Sequence, residues 1–373
     1  MTKDILIIGG SGILSMDFTE LLIQMGNRVF VLNRGQRATI QGARAIIADW
    51  RSESVEELQR KIEGRTFDVV VDFLSFTPDH IKKSLEVVKR RTNQYVFISS
   101  ATAYRNDQDQ LITEKTPRSN SGWRYAMDKA ECERVVADQN EVPYTIVRPY
   151  VTFGRTRLPF QVGSSQYWSV LQRIIHNDPI VLFEGGSATC TLTNTRDFAR
   201  ALNELLGNSA SLGEAYHITS GMTATWLEVY EMVCEIVGTS PNVVSIEHND
   251  LMKYLPEEFE EITADKGLSW RFDNSKLISV LGPEFKFETS IYEGLRESVR
   301  YLIENESAHR ISWRWAGEID GYLTSAVRGY KPRYLRDCHL TPMDMLKYKT
   351  MKSEKLRRTV QFVSRARKQS KDR

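Results

Sequence analysis

The sequence predicts an α/β fold: a doubly wound parallel sheet, then a smaller C-terminal α/β portion and a basic helical tail. Three observations carry this. The chain opens on a short apolar run closed by glycines; apolar runs and helical patterns alternate to about residue 150; and positive charge gathers after residue 309. Strands that alternate with helices bury their apolar faces as a parallel sheet covered on both sides.

Residues 4–8 (Asp-Ile-Leu-Ile-Ile) read as a buried parallel strand. Gly9-Gly10-Ser11-Gly12 follows, then a helical pattern opened by Ile13 and Leu14 and stopped by Gly26. Small residues in the spacing Gly9-x-x-Gly12-x-x-Ser15 let a backbone approach a pyrophosphate, and a helix N-terminus supplies N–H donors and positive potential. Gly9, Gly10, Ser11, Gly12, Ile13 and Leu14 are therefore expected to hold dinucleotide phosphates. The second strand, 28–32, runs into Asn33-Arg34-Gly35-Gln36-Arg37. An acid there binds the ribose hydroxyls of NAD, whereas arginine suits the 2′-phosphate of NADP. Arg34 and Arg37 thus favour NADP over NAD, unless they belong to a solvated loop. Asp49, after a third strand at 44–48, is placed to accept from an adenine amino group or to open a helix, and Trp50 sits beside it.

Strands at 68–73, 95–99 and 144–147, with helices at 54–62, 79–90 and 122–138, continue the alternation. Ligands in such sheets bind at the carboxyl ends of the strands, where Leu74, Ser75, Ser99 and Ser100 fall. Tyr125 and Lys129 stand four residues apart on the following helix and so share a face. A phenol beside an ammonium is a poised acid/base: tyrosine titrates near ~10, and a neighbouring cation favours its phenolate.

Gly9-x-x-Gly12, Ser99-Ser100, Tyr125-x-x-x-Lys129, Val147-Arg148-Pro149, Asp197 in Thr195-Arg196-Asp197-Phe198-Ala199, and Asp273-Asn274-Ser275-Lys276 together resemble an extended short-chain dehydrogenase/reductase of the NAD(P)-dependent epimerase/dehydratase type. The resemblance covers about residues 1–305 and implies a Rossmann-like sheet. It implies Tyr125 as the acid/base, Lys129 as its electrostatic partner and holder of the nicotinamide ribose, and Ser100 as hydrogen-bond partner of the reacting oxygen, with Thr102 as substitute or helper. Members that eliminate water carry Thr-Asp-Glu at this strand end; Ser100-Ala101-Thr102 lacks the carboxylates and resembles the 4-epimerases and ketoreductases instead. The substrate implied is a nucleotide-activated sugar, and a homodimer is implied by the same resemblance.

The substrate half departs from that pattern. Val151 stands where epimerases have asparagine, Cys190 stands where they have arginine, and no second arginine is evident in 257–266. Arg155 and Arg157 are the alternative candidates for a diphosphate, because guanidinium forks match phosphate oxygens; a solvated loop is the competing reading. His176 and His217 are expected to be structural, since this chemistry needs no histidine. Trp123, before Tyr125, either shapes the mouth of the site or packs.

The sequence divides into a dinucleotide-binding domain at 1–150, a substrate portion at 151–305 and an extension at 306–373. The 373 residues carry a net charge of +2, but residues 310–373 alone carry +11 and the remainder −9. Ile311-Ser312-Trp313-Arg314-Trp315 and Gly329-Tyr330-Lys331-Pro332-Arg333-Tyr334 mix aromatic with cationic residues, and from Pro342 the pattern reads as one helix bearing Met343, Leu346, Met351, Leu356, Val360 and Val363. Such a tail fits docking on the body or a partner subunit, an acidic membrane surface, or nucleic acid. An RNA- or polyanion-binding protein on this fold, resembling the chloroplast stem-loop RNA-binding branch of the family, and a non-catalytic NADP sensor are the alternatives to an enzyme. Four dispersed cysteines with no CxxC predict free thiols in a reducing, cytoplasmic setting, and no metal site is expected.

Overall fold

The computed structural model describes residues 2–36, 40–107 and 110–360, so Arg37 and Val363 lie outside the described residues. Two compact units emerge. The first gathers the chain up to Arg157 with Thr189–Thr223 and Leu268–Gly294; the second gathers Leu158–Ala188, Ala224–Gly267 and the chain from Leu295 onward.

In the first unit, seven strands form one sheet: β1 (Asp4–Ile8), β2 (Arg28–Asn33), β3 (Arg44–Ile47), β4 (Val69–Asp72), β5 (Tyr95–Ile98), β6 (Tyr144–Pro149) and β7 (Glu214–Ile218). Their order is β7-β6-β5-β4-β1-β2-β3, and every pair is parallel. β1 lies between β2 and β4, so the direction of winding reverses at its end, where such sheets bind ligands. The register aligns Ile8 with Leu32 and with Asp72, which brings the glycine turn, Asn33 and the Asp72–Ser75 turn to one edge.

Alternate residues of a strand point to opposite faces. Ile5 and Ile7 join Phe18, Leu22, Phe198 and Leu202 in one core layer, under α1 (Ile13–Gln24) and the helix Thr195–Leu205. Leu6 and Ile8 join Leu58, Ile81, Val87 and Val136 in the other, under α2 (Val55–Lys61), α3 (Pro78–Val88) and α4 (Arg124–Asp138). The helix ends follow from local chemistry. Ser54 accepts from Glu57 N at 3.2 Å while Glu57 reaches back to Ser54 N, so α2 starts one residue later than the pattern predicts. α4 likewise starts two residues late, because Trp123 is extended backbone that caps it.

The second unit contains the parallel pair Ile180–Phe183 and Val243–Ile246, with helices Tyr167–Ile175 and Trp226–Val237. Its largest departure from the sequence reading is the helix Trp313–Ala326. Trp313 and Trp315, for which docking on the body or a partner, a membrane surface and nucleic acid were all open, are buried, as is Tyr334. Trp313, Ala316, Ile319 and Leu323 are spaced for one helix face behind the N-cap Ser312, a signal that the tryptophan–arginine composition obscured. Gly317 permits a second helix, Pro342–Lys352, to approach: a Cβ there meets the Tyr348 carbonyl at 2.5 Å. The helix expected from Pro342 ends at Lys352, Ser353 interrupts it, and residues 354–360 resume helical structure. His176 behaves as expected of a structural histidine, bonded to Gln172 O at 2.8 Å and Asp337 Oδ2 at 2.7 Å. Among the described residues no helix is long and apolar enough to cross a membrane.

Asp320, fully buried, ties these segments together. It accepts from Arg173 Nη1 at 2.8 Å, Tyr330 OH at 2.8 Å, Tyr334 OH at 3.0 Å and Tyr348 OH at 2.7 Å. Removing the carboxylate strands a buried guanidinium, so Asp320→Ala should cost about 3–5 kcal/mol, against about 1 kcal/mol for Tyr330→Phe. Urea unfolding of the full chain measures both, and equal costs would show that the charge is not what anchors the extension.

Candidate active site

The glycine turn, the ends of β2 and β3 and the turn after β4 surround an open cleft. Gly9, Ser11, Gly12, Asn33, Arg34, Asp49, Trp50 and Leu74 line it, all expected from sequence, together with Gln36, Ala48 and Arg51, which were not. The cleft is open to solvent and has a volume of about 270 Å³. Gly9 adopts φ +91°, and a Cβ there meets Leu74 Cγ at 2.6 Å, so only glycine admits both the turn and its neighbour. Ser15 Oγ donates to Gly9 O at 2.7 Å and accepts from Gly12 N at 2.8 Å, which closes the turn on the first turn of α1. That first turn has no acidic residue to quench its positive end. Gly10 packs over Val31, and Ile13 and Leu14 open α1, with Leu14 against the core.

Two donors in this cleft, Asn33 Nδ2 and Trp50 Nε1, are buried with no protein partner. Buried polar groups are nearly always hydrogen-bonded, so these mark a place for acceptor atoms of a ligand. Asp49 accepts from Arg51 N at 3.0 Å; that bond, with Ser52 and the Arg34 charge, holds its carboxyl below the ordinary value. A glycine cradle, an unquenched helix N-terminus and orphan donors fit a dinucleotide.

The second cluster lies at the ends of β4 and β5. Lys129 is buried, and its Nζ donates to Ser75 O and Ile98 O, both at 2.8 Å. The rings of Phe76 and Phe97 lie 4.8 Å from it, and burial pulls its ammonium down to about 8. One of its three donors remains beyond the two carbonyls. Tyr125, one turn earlier and partly exposed, has its ring 6.0 Å from Nζ, with the Trp123 ring tilted against it at 4.8 Å and Phe76 at 6.5 Å. Ser100 Oγ accepts from Thr102 Oγ1 at 2.9 Å and Thr102 N at 3.3 Å. Thr102 therefore orients Ser100, leaving the serine its own proton to donate.

Other expected residues are committed elsewhere. Ser75 Oγ donates to Asp72, and Ser99 Oγ donates to Glu133 Oε1 at 2.6 Å. Arg155 pairs with α1, 2.9 Å from Glu20 Oε1 and 3.7 Å from Asp17 Oδ1. Arg157 keeps a buried Nε with no described partner. Cys190 and Val151 are buried, and Asp197 binds Arg200 at 3.0 Å and Thr289 N at 2.8 Å. His217 is buried between Tyr104 OH at 3.3 Å and Asp273 O at 2.8 Å.

Sequence reasoning missed the charge network beneath the site. Glu133 accepts from Arg148 Nε at 2.8 Å, Arg148 Nη2 at 2.6 Å and Arg118 Nη1 at 2.8 Å. Burial alone would raise the Glu133 carboxyl, but these bonds and Ser99 hold it below its ordinary value. Its only signal was Arg148 inside an otherwise apolar strand.

A doubly wound α/β protein with its cleft at the carboxyl ends of the central strands is the class these features define. The chain belongs to the NAD dependent epimerase/dehydratase family, which it matches over residues 5–219. It is 26% identical over 251 residues to the 2′-dehydrokanamycin reductase of Streptomyces kanamyceticus, covering 66% of this chain and 70% of that protein. In fold it is similar to the epimerase Mth375 of Methanothermobacter thermautotrophicus (TM-score 0.69, 20% identity, 83% of this chain and 94% of that one). It is also similar to the UDP-glucuronic acid 4-epimerase of Bacillus cereus, solved with NAD (TM-score 0.64, 16% identity, 82% and 99%).

Gly9→Ala should destabilise by about 1–3 kcal/mol, because positive φ and the Leu74 contact both oppose a side chain. Gly26→Ala, at φ +79° with nothing within 4 Å, isolates the backbone part and should cost about 1 kcal/mol. Equal losses in urea unfolding would remove the crowding argument.

Proposed function

We propose that this protein is an NAD(P)-dependent oxidoreductase or epimerase acting by hydride transfer at a hydroxyl or keto carbon of a nucleotide-activated sugar. The observation that carries the reading is the single face of α4 that presents Tyr125 beside a buried, carbonyl-anchored Lys129. The nicotinamide supplies the hydride acceptor or donor when bound. Gly9, Gly10, Ser11, Gly12 and the first turn of α1 would hold its phosphates, with Asn33, Arg34, Asp49 and Trp50 along the adenosine end.

Tyr125 takes the proton from the substrate hydroxyl on oxidation and returns it on reduction. The Lys129 charge favours the phenolate, which makes the tyrosine a usable base near neutral pH. Ser100, oriented by Thr102, donates to the reacting oxygen as negative charge grows there. Ala101 puts no carboxylate beside that oxygen, so elimination lacks its acid and base; 4-epimerisation or keto reduction is the reaction class favoured over 4,6-dehydration. The 2′-dehydrokanamycin reductase relative supports this choice. Arg34 in place of an acid supports NADP over NAD. Arg157 is the better diphosphate candidate of the two loop arginines, since the charge of Arg155 is already matched by Glu20.

Tyr125→Phe should lower turnover by about 10²–10⁴-fold with cofactor binding retained. Nicotinamide absorbance with a panel of nucleotide sugars reads the first and calorimetric titration the second; full activity in the variant would sink the proposal. Arg34→Ala should weaken NADP binding by about tenfold or more and leave NAD nearly unchanged, because a charged hydrogen bond to the 2′-phosphate is lost. Equal weakening of both cofactors would mean that Arg34 does not read the 2′ position.

A further inference from the structure

Asp72 ends β4 opposite Ile8 and Phe97 and is fully buried. Its Oδ1 accepts the backbone N–H of Leu74 at 2.8 Å and of Ser75 at 3.0 Å. Its Oδ2 accepts Ser75 Oγ at 2.7 Å, Ser84 Oγ at 2.6 Å and Tyr95 OH at 2.7 Å. None of these five donors is cationic. On the other side of the same residue, the Ser75 carbonyl takes the Lys129 ammonium at 2.8 Å. Asp72 therefore shapes the turn from its N–H side while Lys129 reads it from its C=O side.

The ionisable groups that bear on Lys129 are few. From α4 they are Tyr125, Cys132 and Glu133, and from the end of β4 the one group is Asp72. Burial pushes the Cys132 thiol up to about 12, so it is neutral at physiological pH. Glu133 is already matched by Arg148 and Arg118. Among the described residues this leaves Asp72 as the carboxylate near Lys129 whose charge no cation cancels.

We infer that Asp72 is a positioning residue, whose carboxylate builds the 73–76 turn and keeps the buried Lys129 ammonium protonated for the Tyr125 pair. The inference rests on the hydride-transfer reading for its purpose, but its charge coupling is measured without turnover. Burial disfavours the ammonium and a nearby uncompensated carboxylate favours it, so removing the carboxylate lowers the pH at which Lys129 discharges.

The test uses the full chain labelled with ¹⁵N-lysine. The ammonium resonance of Lys129, assigned by its loss in Lys129→Met, is followed against pH by NMR. The wild type should titrate near 8. Asp72→Asn should titrate about one unit lower, with the alkaline limb of turnover moving alongside it. Ser84→Ala removes one neutral donor, keeps the carboxylate and should titrate as the wild type does. No shift in Asp72→Asn, or an equal shift in Ser84→Ala, overturns the inference. If Asp72→Asn does not fold, the wild-type titration decides: a midpoint below about 7 leaves no compensating charge to assign and overturns it. Absence of turnover in every variant, wild type included, would remove the hydride-transfer reading and leave the titration standing.

Discussion

The bidentate pair between Arg148 and Glu133 is the contact around which the first unit is arranged. Both side chains are buried, and the pair joins β6 to α4. Arg148 also donates from Nη1 to Tyr104 OH at 2.6 Å, and Tyr104 meets His217 on β7; Glu133 takes Ser99 at the end of β5. β5, β6 and the covering helix are thus fixed to one another through charge-assisted bonds, and β7 joins them through the Tyr104–His217 contact. Breaking one partner of such a buried pair leaves an uncompensated ion, at a cost of about 3–5 kcal/mol. The rotation of α4 about its axis is set by Glu133, four residues along from Lys129 and eight from Tyr125. The phenol and ammonium therefore inherit their aim from a salt bridge that touches neither ligand nor solvent.

Much of the first unit was legible in the sequence, because its signals are local. The apolar runs, Gly9–Gly12, the i,i+4 spacing of Tyr125 and Lys129, and Ser100 at a strand end each follow from a few neighbouring residues. The structure brings the glycine-turn and strand-end residues to one edge of the sheet as the doubly wound order requires. What was not legible depends on distant partners. Asp72 carries no signal of its own within the strand at 68–73 and acquires its partners only when Ser84 and Tyr95 meet it. Ser99 looks like its neighbour Ser100, but strand alternation turns it to Glu133. Arg155 presents as a phosphate ligand until α1 supplies Glu20. In the extension, tryptophans beside Arg314 left docking and binding readings open, because the buried partner of Asp320 there, Arg173, lies 147 residues earlier in the chain.

Polar atoms beneath α4 and polar atoms along the cleft differ in how fully they are paired. Those under α4 and after β4 are almost fully paired, as a low-dielectric interior demands. Those along the cleft at the ends of β2 and β3 keep donors in reserve, Asn33 Nδ2 and Trp50 Nε1 among them. Burial alone does not draw this contrast, since Trp50 and Lys129 are equally hidden from water.

The interleaving of the two units bears on how the chain is made. β7 and the helix Thr195–Leu205 complete the sheet and one core layer only after one segment of the other unit, Leu158–Ala188, has emerged. Leu277, also in that layer, arrives later still. At a synthesis rate of about 5–20 residues per second, the first six strands wait several seconds with one sheet edge unpaired and one face partly bare. Such an edge is a template for pairing with other chains. During translation the nascent sheet is thus most exposed between residues 149 and 214, an interval in which a holding chaperone has the most surface to protect.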